Sequence, residues 1–202
     1  KFTYMKKINL FFLTLVFAFS LVCCRTSQVS NVDKGQINGH PAWMMQGNIY
    51  EVNVRQYTPE GTFNAFAKHL DRLKAMGVKT IWFMPINPIS KLDRKGTLGS
   101  YYAVSDYTTI NPEFGTMDDF KNIVKTIHDK GMKVLIDWVP NHAGADHRWI
   151  TENPDFFVKD NSGKAAVAFD WADTRQLDYK NPIMQDSMIA AMKFWVKDTD
   201  ID

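Results

Sequence analysis

Two stretches of this chain repeat one grammar. Met76-Gly77-Val78-Lys79 and Lys130-Gly131-Met132-Lys133 each stand between a helix-like segment and an apolar, strand-like one. In each, the glycine suits the left-handed cap that ends a helix, and a tight turn then leads into β-branched and aromatic residues. A helix feeding a strand in this way, repeated, predicts βα units and a parallel sheet joined by right-handed crossovers. The strands expected are Asn48–Gln56, Val78–Met84 and the run that opens KVLIDWVPNH at Lys133. Three units fit part of a closed β/α barrel or an open doubly wound sheet.

The helices between them carry their own signals. Thr62 is placed to cap a helix with Phe63, Phe66, Ala67, Leu70, Leu73 and Met76 on one face, ended by Gly77. Thr116 opens a second, with Asp118 and Asp119 in its first turn, where they complement the helix dipole, and Phe120, Ile123, Val124 and Ile127 as its apolar stripe. Asn181 and Pro182 are a cap and first position for a third, with Met184, Met188, Ala191 and Trp195 inward. Lys197–Asp202 reads as the approach to a fourth strand.

Composition narrows the function classes. The chain has 202 residues, 45% hydrophobic, with a formal net charge of +2, so it carries no electrostatic footprint for nucleic acid. It lacks GxGxxG and Walker-type phosphate loops, the GxSxG elbow and the HExxH zinc motif.

The N-terminus reads as a targeting segment. Met5 is the expected start, followed by Lys6, Lys7 and the apolar stretch Ile8–Val22, shorter than the ~20 residues that span a bilayer as a helix. Cys23 and Cys24 are adjacent and no other cysteine follows, which excludes a disulfide framework. Leu21-Val22-Cys23-Cys24 resembles a bacterial lipoprotein cleavage box with Cys24 as the lipidated residue, although a small residue usually stands where Cys23 does. The expectation is a signal over residues 1–24, a flexible tether over 25–40, and export to the periplasm or cell envelope with membrane attachment through a lipid anchor.

KVLIDWVPNH delivers a carboxylate, Asp137, to the end of a buried strand and then Asn141 and His142. A charge there is costly unless paired. Read alone, Asp137 either ties down a loop or serves a site.

Its neighbours add to that reading. Asp137-Trp138-Val139-Pro140-Asn141-His142, Tyr102-Ala103-Val104-Ser105-Asp106-Tyr107, Asn111-Pro112-Glu113-Phe114-Gly115-Thr116 and Leu177-Asp178-Tyr179-Lys180-Asn181-Pro182 occur in order. Together they resemble the N-terminal half of the catalytic barrel of the α-amylase family of glycoside hydrolases, over residues 43–202. The resemblance implies the N-terminal part of a (β/α)8 TIM barrel, with about three βα units and a short insertion after strand 3, residues 143–177. It implies retaining hydrolysis of α-glucosidic bonds in starch-like glucans or maltooligosaccharides by the intact protein, with carboxyl groups roughly 5–5.5 Å apart. The runners-up are a transglycosylase or a sucrose- or trehalose-active relative, and a non-catalytic glycan-binding protein on the same barrel.

Residue by residue, the resemblance implies that Tyr102 stacks on the sugar at the cleavage point and that His142 donates to its 6-hydroxyl. It casts Asp137 and Asp106 as organisers of the site and Asn141 as a calcium ligand in calcium-dependent members. Ala103 stands where many relatives carry Asp. The nucleophile and the general acid belong to later segments, so no catalytic carboxylate is expected within these residues, and the fragment is expected to be inactive by itself. Trp149, Phe156, Phe157 and Trp171 are candidates for stacking on further glucose units or for packing the insertion.

Overall fold

The computed structural model describes residues 35–45 and 47–202, so the signal segment, Cys24 and most of the tether lie outside the described residues. The chain divides into two units, 1–46 and 47–202. In the first, β1 (Gln36–Ile37) pairs antiparallel with β2 (His40–Pro41), followed by α1 (Ala42–Met45). Asn38 and Gly39, both at positive φ, make the two-residue turn, so the end of the expected tether is a hairpin.

The second unit is built on a parallel sheet. β3 (Ile49–Val52), β4 (Thr80–Phe83) and β5 (Lys133–Ile136) lie in that order, with Ile49 opposite Thr80 and Thr80 opposite Lys133. Between β3 and β4 run α2 (Val54–Tyr57), α3 (Phe63–Ala67) and α4 (Leu70–Ala75), and α5 (Met117–Asp129) connects β4 to β5. β6 (His142–Gly144) pairs antiparallel with β7 (Thr174–Gln176) and brackets the loop expected as an insertion, which contains α6 (Trp149–Glu152) and a 3-10 turn at Pro154–Phe156. α7 (Pro182–Thr199) ends the described chain. Among the described residues no helix is long and apolar enough to cross a membrane.

The helix signals act as physics requires. Thr116 accepts from the Asp119 backbone N–H at 3.1 Å while Asp119 accepts from the Thr116 N–H at 2.8 Å, a reciprocal capping box. Asn181 caps α7 by accepting from the N–H groups of Ile183 and Met184. The four inward residues expected of that helix, Met184, Met188, Ala191 and Trp195, are buried.

Four expectations are corrected. The first strand stops at Val52 because the chain turns into α2, so Val54 is buried from a helix and not from a strand. The helix capped by Thr62 breaks at Lys68–His69 into α3 and α4. Met76 lies past the last turn and is 58% exposed, while Gly77 adopts φ +86°. Lys197–Thr199 continue α7; the helix stops at Asp200, whose backbone is left-handed, and only Asp202 reaches the sheet, its N–H donating to the Val134 carbonyl at 3.0 Å.

Two apolar clusters result. One lies beneath the parallel sheet and contains Phe63, Phe66, Phe83, Phe120 and Trp195. The other lies under β6 and contains Tyr107, Trp149, Phe156, Phe157, Leu177 and Met184.

Candidate functional site

Parallel strands leave their C-terminal ends free for a site, and the loops that follow β4 and β5 meet there. The loop after β4 folds back on itself: Ser90 N–H donates to Ala103 O at 2.7 Å and Ser105 N–H to Pro88 O at 2.9 Å. The Asn87 side chain, fully buried, donates to the carbonyls of Asp106 and Thr109. Gly144 of β6 lies against this loop, its N–H donating to Val104 O at 2.7 Å. A Cβ at Gly144 would sit 2.7 Å from Ser90 Cβ and 2.8 Å from the carbonyl oxygens of Ala103 and Val104, so no other residue fits without displacing backbone.

This close approach brings Tyr102 and Asp137 together. The Asp137 backbone N–H extends the sheet to Phe83 O at 2.8 Å, and its carboxylate accepts from the Tyr102 hydroxyl at 3.0 Å. Burial, then the adjacent Asp137 carboxylate, pushes the Tyr102 hydroxyl up to about 12, so at neutral pH the group is a proton donor with a fixed direction.

His142 begins β6, buried. Its Nε2 lies 3.2 Å from the Tyr102 carbonyl oxygen and its Nδ1 3.2 Å from the Asn141 side-chain nitrogen. One neutral tautomer satisfies both, with Nε2–H donating and Nδ1 accepting, an assignment made from the hydrogen-bond network. Burial lowers its pKa, against the opposing pull of the Tyr102 carbonyl and the Asp173 carboxylate, so the ring is neutral near pH 7. A sugar hydroxyl can take the Nε2–H only in exchange with the Tyr102 carbonyl, and the length of that bond makes the exchange inexpensive.

Asp106 is turned away from this cluster. Its carboxylate accepts from the Thr108 N–H and hydroxyl and faces Arg148 Nε at 3.2 Å, which holds the loop after β4 in shape. Asn141 is exposed, and its side-chain nitrogen serves His142. Among the described residues no group of three or more His, Cys, Asp or Glu converges on a point that could hold a metal.

Tyr102 and His142 face a cleft of about 400 Å³, also lined by Lys95, Ser100, Val139, Trp171, Asp173 and Thr174. Of the four aromatic residues singled out in the insertion, Trp149, Phe156 and Phe157 are buried in packing and Trp171 is open to the cleft. Lys95 and Asp173 come from loops far apart in sequence, and only the order of the βα units could have hinted that they meet. The cleft therefore offers a ring face, an imidazole donor and a carboxylate, equipment suited to orienting a neutral polyol.

The family description "Alpha amylase, catalytic domain" matches residues 27–173. The chain belongs to the α-amylase family. Among curated relatives, Alpha-amylase 3 of Dictyoglomus thermophilum is 29% identical over 212 residues, covering 91% of this chain and 39% of that protein. The mouse amino acid transporter heavy chain SLC3A1 is 34% identical over 134 residues, covering 64% of this chain and 18% of that protein. Among solved structures, an α-amylase from Lactobacillus plantarum superposes with a TM-score of 0.73 at 41% identity, over 75% of this chain and 36% of that one. The chain thus spans about two fifths or less of these relatives, and the three-stranded parallel sheet is part of an α-amylase-type TIM barrel. Within that family, the sequence motifs and the cleft fall in one place: the signature residues Tyr102, Asp137 and His142 stand together at the strand ends.

Proposed function

We propose that the full protein is a retaining glycoside hydrolase acting on α-glucosidic bonds of starch-like glucans or maltooligosaccharides. The observation that carries this is the Tyr102–Asp137 pair beside His142 at the mouth of the parallel sheet. The Tyr102 ring offers a face for the C–H surface of a pyranose, Asp137 sets its orientation, and neutral His142 supplies a donor. In this family the reacting carboxylates come from later strands, so the residues described bind and orient the substrate and move no proton at the anomeric carbon.

Reducing-end release from starch, maltotriose and sucrose by the full-length protein tests the reading. Release from starch or maltotriose is expected; glucosyl transfer products from maltotriose, or turnover of sucrose alone, would assign the transglycosylase or sucrose-active alternative. Residues 1–202 alone are expected to release none. A second reading is a non-catalytic glycan-binding protein on the same barrel, and the similarity to an amino acid transporter heavy chain shows that the chain also resembles a protein not named as a hydrolase. It predicts maltooligosaccharide binding by the full-length protein without reducing-end release. Attachment to the cell envelope through Cys24 completes the proposal, and incorporation of labelled palmitate that disappears in Cys24→Ala checks it.

A further inference from the structure

Asp137 holds Tyr102 to the end of β5, and the residue just before it, Tyr101, is held to the end of β3. The Tyr101 hydroxyl donates to Asn53 Oδ1 at 3.0 Å. Asn53 stands at the N-cap of α2, where an asparagine side chain ordinarily accepts from the first backbone N–H groups of the helix, and here it makes no such bond. Arg55, in α2, lays its guanidinium over the face of the Tyr101 ring, with Cζ 4.5 Å from the centroid and Nη2 donating to Glu113 Oε2 at 2.9 Å. Its Nε is buried and has no hydrogen-bond partner among the described residues. A forgone cap and an unanswered buried donor are both local losses of stability, and they converge on one ring. Such breaches of local rules mark places where the fold serves more than its own stability.

We infer that Asn53 and Arg55 are positioning residues, which act through Tyr101 to fix Tyr102 at the cleft. Neither side chain lines the cleft. Each sets the backbone from which Tyr102 projects: Asn53 by the hydroxyl of the preceding ring, Arg55 by its face. The loop after β4 is thereby gripped from β3 through Tyr101 and from β5 through Tyr102, whose carbonyl also receives the His142 ring N–H. The ring that meets the ligand is then aimed from two strand ends at once. The binding readout rests on the proposed glucan substrate, whereas the hold on Tyr102 is measurable without a ligand.

The test is calorimetric titration of the full-length protein with maltopentaose. Asn53→Ala and Tyr101→Phe each remove one hydrogen-bonding partner and are expected to raise Kd about fivefold. Asn53→Asp keeps the accepting oxygen and should stay within about twofold of wild type. Arg55→Met should raise Kd about tenfold; if it does not fold, the two milder variants decide. With Tyr102→Ala in the background, Asn53→Ala and Tyr101→Phe should lose most of their effect, as residues acting through Tyr102 must. Equal losses in both backgrounds, or no loss in either, overturn the positioning role while the glucan reading stands. Hydrogen exchange of the ligand-free protein is the second measurement, and it decides where Tyr102→Ala binds too weakly to titrate. Residues 99–104 should exchange roughly threefold faster in Asn53→Ala and Tyr101→Phe, with α5 unchanged. Unchanged exchange overturns the hold on Tyr102. Faster exchange in a protein that binds no maltopentaose upholds it and overturns the glucan reading alone.

Discussion

The two apolar clusters of the larger unit both pack aromatic rings but differ in chemistry. Beneath the sheet, Phe63, Phe66 and Phe120 each meet Phe83 edge to face, with Trp195 closing the group against Phe120. None of the four phenylalanines has a polar tip to satisfy. Under β6, Tyr107 packs against Trp138, His147 and Trp149, and each of these rings carries a polar atom. Tyr107 hydroxyl donates to His142 O at 2.7 Å, and Trp195 Nε1 donates to Tyr107 O at 2.7 Å. The first cluster holds the barrel segment together; the second, joined to it through Trp195, tells His142 where to be.

That division can be broken from either side. Phe83→Ala empties the centre of the first cluster and is expected to cost about 3–5 kcal/mol in denaturant unfolding. Maltopentaose affinity of the molecules that remain folded should stay near wild type, and a large loss would show that the first cluster also sets the cleft. Acid exposes the second cluster next. Burial holds His147 down to about 3 from its ordinary 6.5, with Asp106 and Asp146 opposing and Arg148 assisting. Between those values the unfolded chain binds a proton that the folded one refuses, so stability is full above about pH 6.5 and falls toward pH 3. The slope contributed is up to about 1.4 kcal/mol per pH unit. His147→Gln, which can still accept from the Trp149 N–H, should flatten that slope; an unchanged slope would assign acid sensitivity elsewhere.

Smaller effects sharpen the contrast. Tyr107→Phe strips the bond to His142 O and should cost about 1–3 kcal/mol. Unlike Phe83→Ala, it should also weaken maltopentaose binding, and calorimetry on both variants compares the two regions directly. Thr116→Ala removes half of the capping box on α5, remote from the cleft, and should lower stability by about 1 kcal/mol with no change in sugar affinity.

Local periodicity made much of this legible. The caps at Thr62, Thr116 and Asn181 and the buried faces of α5 and α7 follow from spacing alone, because helix burial repeats within a few residues. The glycines at 77 and 131 announce the turns into β4 and β5 for the same reason. What spacing could not show is where a pattern is interrupted by packing. The break at Lys68–His69 and the turn of Val54 into α2 leave no local trace, and Lys197–Thr199 are as compatible with a helix end as with a strand approach. At the site, the motifs named Tyr102, Asp137 and His142. The hydrogen bond between Tyr102 and Asp137 and the meeting of Lys95 with Asp173 cross dozens of residues and exist only once the βα units are assembled.

Gly144 carries a consequence for how a ligand is received. With a bare Cα pressed against Ser90, Ala103 and Val104, the strand that bears His142 and the loop that bears Tyr102 cannot slide past one another. The two side chains are set at their separation when the chain folds, before any ligand arrives. Capture then demands little ordering of backbone, so affinity is spent on contacts with the ligand itself. Small differences among ligands thus register as differences in binding instead of being absorbed by a yielding cleft.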